Sequence, residues 1–235
     1  CQREPRRRSR QWCLDSSGTS TAWARCSRRQ PSWNGVACHA DNDDARYGLG
    51  VDTARLLELD EALFVRVSRW HSPLLDRVMP ALTQVASYSA LWLVASAGLA
   101  AQGEKGKRTA AVAIGGVAVT SATVNIGLKQ VARRPRPTAP VPDARSLPQP
   151  TSSSFPSGHT ASAAAFSGVV GNEMPALRVP VDTVAAAVGF SRVYTGAHYP
   201  GDVLVGWLVG RGIAHAARWA ADRRWPAAPA APSPE

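Results

Sequence analysis

TAAVAIGGVAVTSATVNIGL, Thr109 to Leu128, is a run of twenty residues without one charge, and Lys129 ends it. A helix rises 1.5 Å per residue, so about 20 apolar residues cross the hydrocarbon of a bilayer. Upstream lies a charged turn, Glu104-Lys105-Gly106-Lys107-Arg108, and before it Val78 to Gly103, a second stretch with no charged residue. The competing reading is a buried helix pair of a soluble protein. Alanine and glycine keep the mean hydropathy at −0.15, and the polar first 50 residues and later loops account for part of that low value.

Downstream the chain keeps its small, apolar style. Thr160–Asn172 (TASAAAFSGVVGN), Thr183–Ser191 and Val203–His215 hold one interior charge, Arg211. None spans a bilayer without its polar ends. Small residues let helices pack closely, so these segments read as interior helices of a bundle. Leu56 to Trp70 carries Leu56, Leu59, Leu63, Phe64 and Val67 at helical spacing, with charges on the other face. That pattern predicts an amphipathic helix lying in the interface and ending near Pro73.

Three blocks stand at the ends of these helices: Lys129-x6-Arg136-Pro137, Pro156-Ser157-Gly158-His159, and Ser191-Arg192-x5-His198-x3-Asp202. Together they supply what a phosphate site needs when no metal serves it. Charge grows on the equatorial oxygens as a phosphoryl group moves, and fixed donors must meet it. Arg136 and Arg192 offer planar forks, and Lys129 a point charge. Ser157 and Gly158 precede a helical run whose first N–H groups form an anion cradle. Asp202, four residues after His198, can hold one imidazole nitrogen and leave the other free to attack. The spacing therefore predicts His198 as nucleophile and Asp202 as its orienter. His159, beside the cradle, is the general acid and base. Taken singly, each block has a plain reading: a basic membrane flank, a turn before a helix, a solvated pair at a helix start. His39, His71 and His215 have no partner pattern and read as surface or interfacial residues.

The three blocks resemble the signature motifs of the type 2 phosphatidic acid phosphatase (PAP2) family, to which vanadium haloperoxidases are related. Every motif position is filled in the family order, within roughly Leu56 to Trp219. The resemblance implies an all-α, multi-pass transmembrane bundle that hydrolyses phosphomonoesters or pyrophosphates through a phosphohistidine, with no metal and no cofactor. It implies that Lys129, Arg136, Ser157, Gly158 and Arg192 bind phosphate while His159, His198 and Asp202 do the chemistry. The expected substrate is a lipid phosphate: phosphatidic acid, phosphatidylglycerol phosphate, or a polyprenyl phosphate or pyrophosphate. Two alternatives stay open, a vanadate-dependent oxidoreductase and a non-catalytic membrane scaffold.

Charge and composition limit the rest. The net charge of +10 and pI of about 10.3 would suit nucleic acid. No aromatic–basic interleaving or nucleic-acid motif accompanies them, so no such partner is expected. With the Glu104–Arg108 turn placed in the cytoplasm, alternate crossings bring all three blocks to the outer face of a cell membrane. The basic Arg133-Arg134-Arg136 loop then lies outside, against the usual bias. The expected organisation is a disordered basic extension over 1–50, the phosphatase domain over 51–222 and a Pro/Ala-rich tail over 223–235. All four cysteines, Cys1, Cys13, Cys26 and Cys38, fall in the extension without zinc spacing. The chain opens on Cys1 rather than Met, which suits either a lipidated mature terminus or a truncated reading frame.

Overall fold

The uncharged run becomes the body of one long helix. Of the 235 residues, this computed structural model describes 53–138, 141–142, 145–149 and 151–224, with Tyr88 by its backbone alone. The expected disorder of 1–50, the four cysteines and the tail past Arg224 lie outside the described residues. Every regular element among those residues is helical: α1 (Thr53–Ser68), α2 (Pro73–Val85), α3 (Ala90–Ala100), α4 (Glu104–Ala122), α5 (Lys129–Ala132), α6 (Gly158–Glu173), α7 (Arg178–Tyr194) and α8 (Pro200–Arg224). A π-turn, Thr123–Leu128, joins α4 to α5, so Glu104–Ala132 runs on as 29 helical residues. By length and composition it can cross a membrane.

Val78 to Gly103 departs from the sequence reading. It is not one straight helix but the end of α2 and all of α3, bent by 73° at a 3₁₀ turn, Ser87–Ser89, and α2 and α3 together are long and apolar enough for a broken span or a re-entrant loop. Ser89 sits at φ 62°, and the Ser87 hydroxyl donates to the Thr83 carbonyl at 2.9 Å. A left-handed residue cannot continue a right-handed helix, so the chain turns at Ser89 and α3 starts afresh at Ala90. Lack of charge could not reveal this break.

α6 is the central element. Thr160 to Gly171 are buried on every side, which explains why this segment has no amphipathic stripe. It packs against α4, α7 and α8. Close approach needs small residues: a Cβ at Gly210 would fall 2.1 Å from the Ala161 carbonyl oxygen, and one at Gly206 2.6 Å from that of Ser157. Trp92 of α3 closes the core against Phe166 at 5.0 Å between rings. At the end of the bundle away from Lys129, Arg108 pairs with Glu173 (3.2 Å) and Asp222 (2.6 Å), and Arg218 pairs with Glu173 (3.1 Å). These pairs tie α4, α6 and α8 together. The interior charge Arg211 meets Asp182 of α7 at 3.0 Å.

α1 is helical as its spacing predicts, but its stripe points outward. Leu56, Leu59 and Leu63 are more than half exposed, and Phe64 alone of the set is buried. That orientation suits an apolar surrounding rather than a protein core.

Candidate active site

All three sequence blocks meet at one end of the bundle. Lys129 begins α5, Arg136 follows it in the loop, Gly158 begins α6, Arg192 is in the last turn of α7, and His198 and Asp202 flank the start of α8. A cavity of about 540 Å³ opens there, lined among others by Lys129, Gly158, His159 and Arg192. Its size is that of a small-ligand site.

The end of α6 is built as an anion cradle. Ser157 is its N-cap and accepts from the Thr160 N–H (3.4 Å) and the Thr160 hydroxyl (2.9 Å). Ser157 is fully buried and does not line the cavity, so its side chain shapes the cradle from behind. Gly158 and His159, the first two helical residues, carry N–H groups that have no intrahelical acceptor. Opposite them, Arg192 is 6% exposed and its Nε makes no hydrogen bond. A buried guanidinium with an unpaired Nε–H, on a residue that lines the cavity, is suited to an anion.

His198 is fixed by what surrounds it. A guanidinium can only donate, and Arg136 NH1 lies 3.4 Å from His198 Nε2 and 2.7 Å from the Ala197 carbonyl. Nε2 is therefore the bare nitrogen and Nδ1 carries the proton. Nδ1 faces Asp202 Oδ2 at 3.5 Å, too long for a full hydrogen bond but close enough for orientation. Burial pushes the His198 pKa down to about 4, with Arg192 and Arg136 adding to the effect and Asp202 opposing it. The imidazole is thus neutral at ordinary pH. It is 1% exposed and lies behind the cavity wall, facing Arg136.

His159 has a partner that the sequence did not disclose. Its Nε2 lies 3.2 Å from the Ser87 hydroxyl, whose single proton already goes to Thr83. Ser87 therefore accepts, and His159 Nε2 carries hydrogen. The break between α2 and α3 is what brings Ser87 there.

Residues at none of the named motif positions complete the site. Arg134 donates to Asp202 Oδ1 and to Asp60 Oδ2, each at 2.7 Å, and its guanidinium lies 4.1 Å from the Tyr199 ring centre. Asp60 also accepts from the Gly201 N–H at 2.6 Å. Arg145, 1% exposed, donates to the carbonyls of Trp70 (3.0 Å) and Ser68 (2.5 Å) and stacks on Tyr194 at 4.3 Å. It pins the loop whose Leu147 and Gln149 line the cavity. Tyr194 in turn donates to Asp76, which His71 meets at 2.6 Å. His71 is thus exposed as expected, but paired. Among the described residues no group of three or more His, Cys, Asp or Glu is placed to hold a metal.

The fold and site define a class of helical phosphatase-type hydrolase. Residues 109–226 match the PAP2 superfamily, and the chain belongs to it. The chain is similar to the decaprenylphosphoryl-5-phosphoribose phosphatase of Mycolicibacterium smegmatis, 35% identical over 130 residues, covering 54% of this chain and 68% of that protein. It is similar over a shorter stretch to the lipid A 1-phosphatase of Rhizobium etli, 42% identical over 57 residues, 24% of this chain and 25% of that one. Two crystal structures share the fold. The transmembrane PAP2-type phosphatidylglycerolphosphate phosphatase from Bacillus subtilis superposes with TM-score 0.58 at 24% identity, covering 76% of this chain and 91% of that one. Aquifex aeolicus LpxE superposes with TM-score 0.57 at 26% identity, covering 68% and 95%.

Proposed function

We propose that this protein is a multi-pass membrane enzyme that hydrolyses a lipid phosphate or pyrophosphate through a phosphohistidine on His198. The observation that carries this reading is the bare Nε2 of a neutral, buried imidazole, facing Arg136, with Arg192 unsatisfied nearby.

The residues supply each step. Lys129, Arg136, Arg192 and the N–H groups of Gly158 and His159 hold the phosphoryl oxygens, with Ser157 supporting the cradle. The His198 Nε2 lone pair forms a bond to phosphorus as the P–O bond to the lipid breaks. His159, entering the step as an imidazolium with its Nε2 hydrogen on Ser87, gives its other proton to the departing oxygen and becomes neutral. Asp202 stabilises the positive imidazole that results. His159 then takes a proton from water, the water oxygen attacks phosphorus, and the N–P bond breaks to release inorganic phosphate. No step calls on a metal, because the three cations take the developing charge.

A second cavity of about 460 Å³, walled mainly by apolar side chains of α3 and α4, adjoins the first and shares Ser89, Ser121 and Asn125 with it. A phosphate in the cradle would have its apolar tail beside this groove. The relative matched over 130 residues favours a polyprenyl-linked phosphate over other lipids.

Phosphate release from a panel of polyprenyl, glycerolipid and lipid A phosphates by the detergent-purified chain, with EDTA present, tests the proposal. Wild type should release phosphate and His198→Ala should not. Release that vanishes with EDTA and returns with one specific metal would sink the metal-independent mechanism, and equal release by His198→Ala would remove the phosphohistidine.

A further inference from the structure

Arg134 lies inside the first sequence block but at none of its named positions, and Asp60 lies 74 positions before it in chain order, yet the two meet beside Asp202. Both carboxylate oxygens of Asp202 have partners. Oδ1 accepts from Arg134 NH1 at 2.7 Å, while Oδ2 accepts from the Tyr199 N–H at 3.0 Å and faces His198 Nδ1 at 3.5 Å. The Tyr199 bond is the return half of a capping box, since Asp202 is the third residue of α8 and Tyr199 its cap. Asp60 serves the same helix start from outside by accepting from Gly201. A Cβ at Gly201 would lie 2.9 Å from Asp60 Oδ2, so glycine is what lets Asp60 come this close.

We propose that Arg134, braced by Asp60 of α1, is a positioning residue: it claims one oxygen of Asp202 and leaves the other to orient His198 without trapping that histidine as an imidazolium. The inference rests on His198 as the nucleophile. Two hydrogen bonds to two carboxylates, with a ring beneath the guanidinium, hold Arg134 in a single orientation. The groups facing His198 are Asp202 from α8, Arg192 from α7, His159 from α6, and Arg136 from the loop, with Lys129 acting on His159. Of these, Asp202 alone favours the charged imidazole. Arg134 offsets much of its charge. The paired carboxylates also raise the Arg134 pKa, after burial opposes it, so its charge is secure.

Removing that cation frees the whole charge of Asp202 to act on His198. A protonated His198 has no lone pair on Nε2 and cannot attack. The acid limb of kcat/KM should therefore move to higher pH. The substrate phosphate ionises alike for every variant and cancels in the comparison.

The test compares pH profiles of phosphate release by the purified full chain and by Arg134→Gln, Arg134→Lys, Asp60→Asn and His198→Ala. In Arg134→Gln the acid limb should rise by about one pH unit or more. Its kcat near neutral pH should fall by about tenfold or more, with KM changing far less. Arg134→Lys keeps the charge and should return the limb toward wild type with kcat still reduced. Asp60→Asn removes the brace but also a negative charge, so it should lower kcat while leaving the limb at or below that of wild type. A wild-type limb in Arg134→Gln, or a loss confined to KM, would overturn the proposal, the latter by making Arg134 a phosphate ligand. Should Arg134→Gln fail to fold, an unchanged kcat in both Arg134→Lys and Asp60→Asn would overturn it equally. Undiminished release by His198→Ala would instead remove the nucleophile assignment on which the inference stands.

Discussion

Arg192 is almost wholly buried, yet no hydrogen bond reaches its Nε. A residue in that condition costs stability unless something else repays it, and a bound phosphate is the partner that fits. Its fork, rather than its charge alone, is then what matters. Arg192→Lys keeps the charge but replaces a planar fork with a mobile point, so phosphate release should drop by about tenfold to a hundredfold. Steady-state kinetics on the purified variant checks this, and near-normal turnover would show that Arg192 is not a bidentate ligand. The role proposed for Arg192 is legible in the sequence because its motif fixes it six residues before His198. Arg134 and Asp60 were not legible. Their pairing depends on how α1 docks beside the start of α8, and no local spacing encodes that. Ser87 was hidden for a similar reason: its value to His159 arises only from the bend that places it. A signal did exist for Arg134, as one of two arginines in a loop that phosphate binding by Arg136 left unexplained.

At the scale of elements, composition foretold which segments would be helices better than how they would lie. The Ala-, Gly- and Ser-rich run Thr160–Asn172 reads as an interior helix, and it is one. The contacts that hold it were written in two glycines of α8, Gly206 and Gly210, whose four-residue spacing puts both on one face. Gly210 cannot take a Cβ without meeting the Ala161 backbone, which cannot yield as a side-chain tip can. Gly212, two positions on, has open space within 4 Å of where a Cβ would stand, so it reports helix propensity alone. Gly210→Ala should lower the melting temperature in detergent by several degrees, and Gly212→Ala should leave it unchanged or slightly raised. The overpacking cost is about 1–3 kcal/mol. Equal melting of the two variants would show that the α6–α8 approach is looser than described. The uncharged stretch Val78–Gly103 teaches the opposite lesson. Charge patterning marks where a chain avoids water, but the bend inside this stretch sits at a left-handed residue, Ser89, that hydropathy does not register.

For the whole molecule, the question is which way the site faces. The lipid-phosphate reading puts the three sequence blocks at one end of the bundle and leaves Lys105, Lys107, Arg178, Arg223 and Arg224 toward the other. Lysine and arginine accumulate on the cytoplasmic side of membrane proteins. The basic loop Arg133-Arg134-Arg136 at the site end looked like an objection. It weakens once partners are counted, because Arg134 is neutralised by Asp60 and Asp202 while Arg136 serves the phosphate site. The buried Arg145 at the same end lies beside Asp76 at 3.7 Å. Arg133 remains as an exposed charge there. This charge distribution predicts a site open to the outer face. Single cysteines on a background with the four native cysteines replaced by serine decide it. Ser146 lies in the exposed loop at the site end and Lys105 is exposed at the other. A membrane-impermeant thiol reagent should label Ser146→Cys in intact cells and Lys105→Cys only after the membrane is opened. The reverse pattern would place the site in the cytoplasm, where substrate would have to come from the inner leaflet.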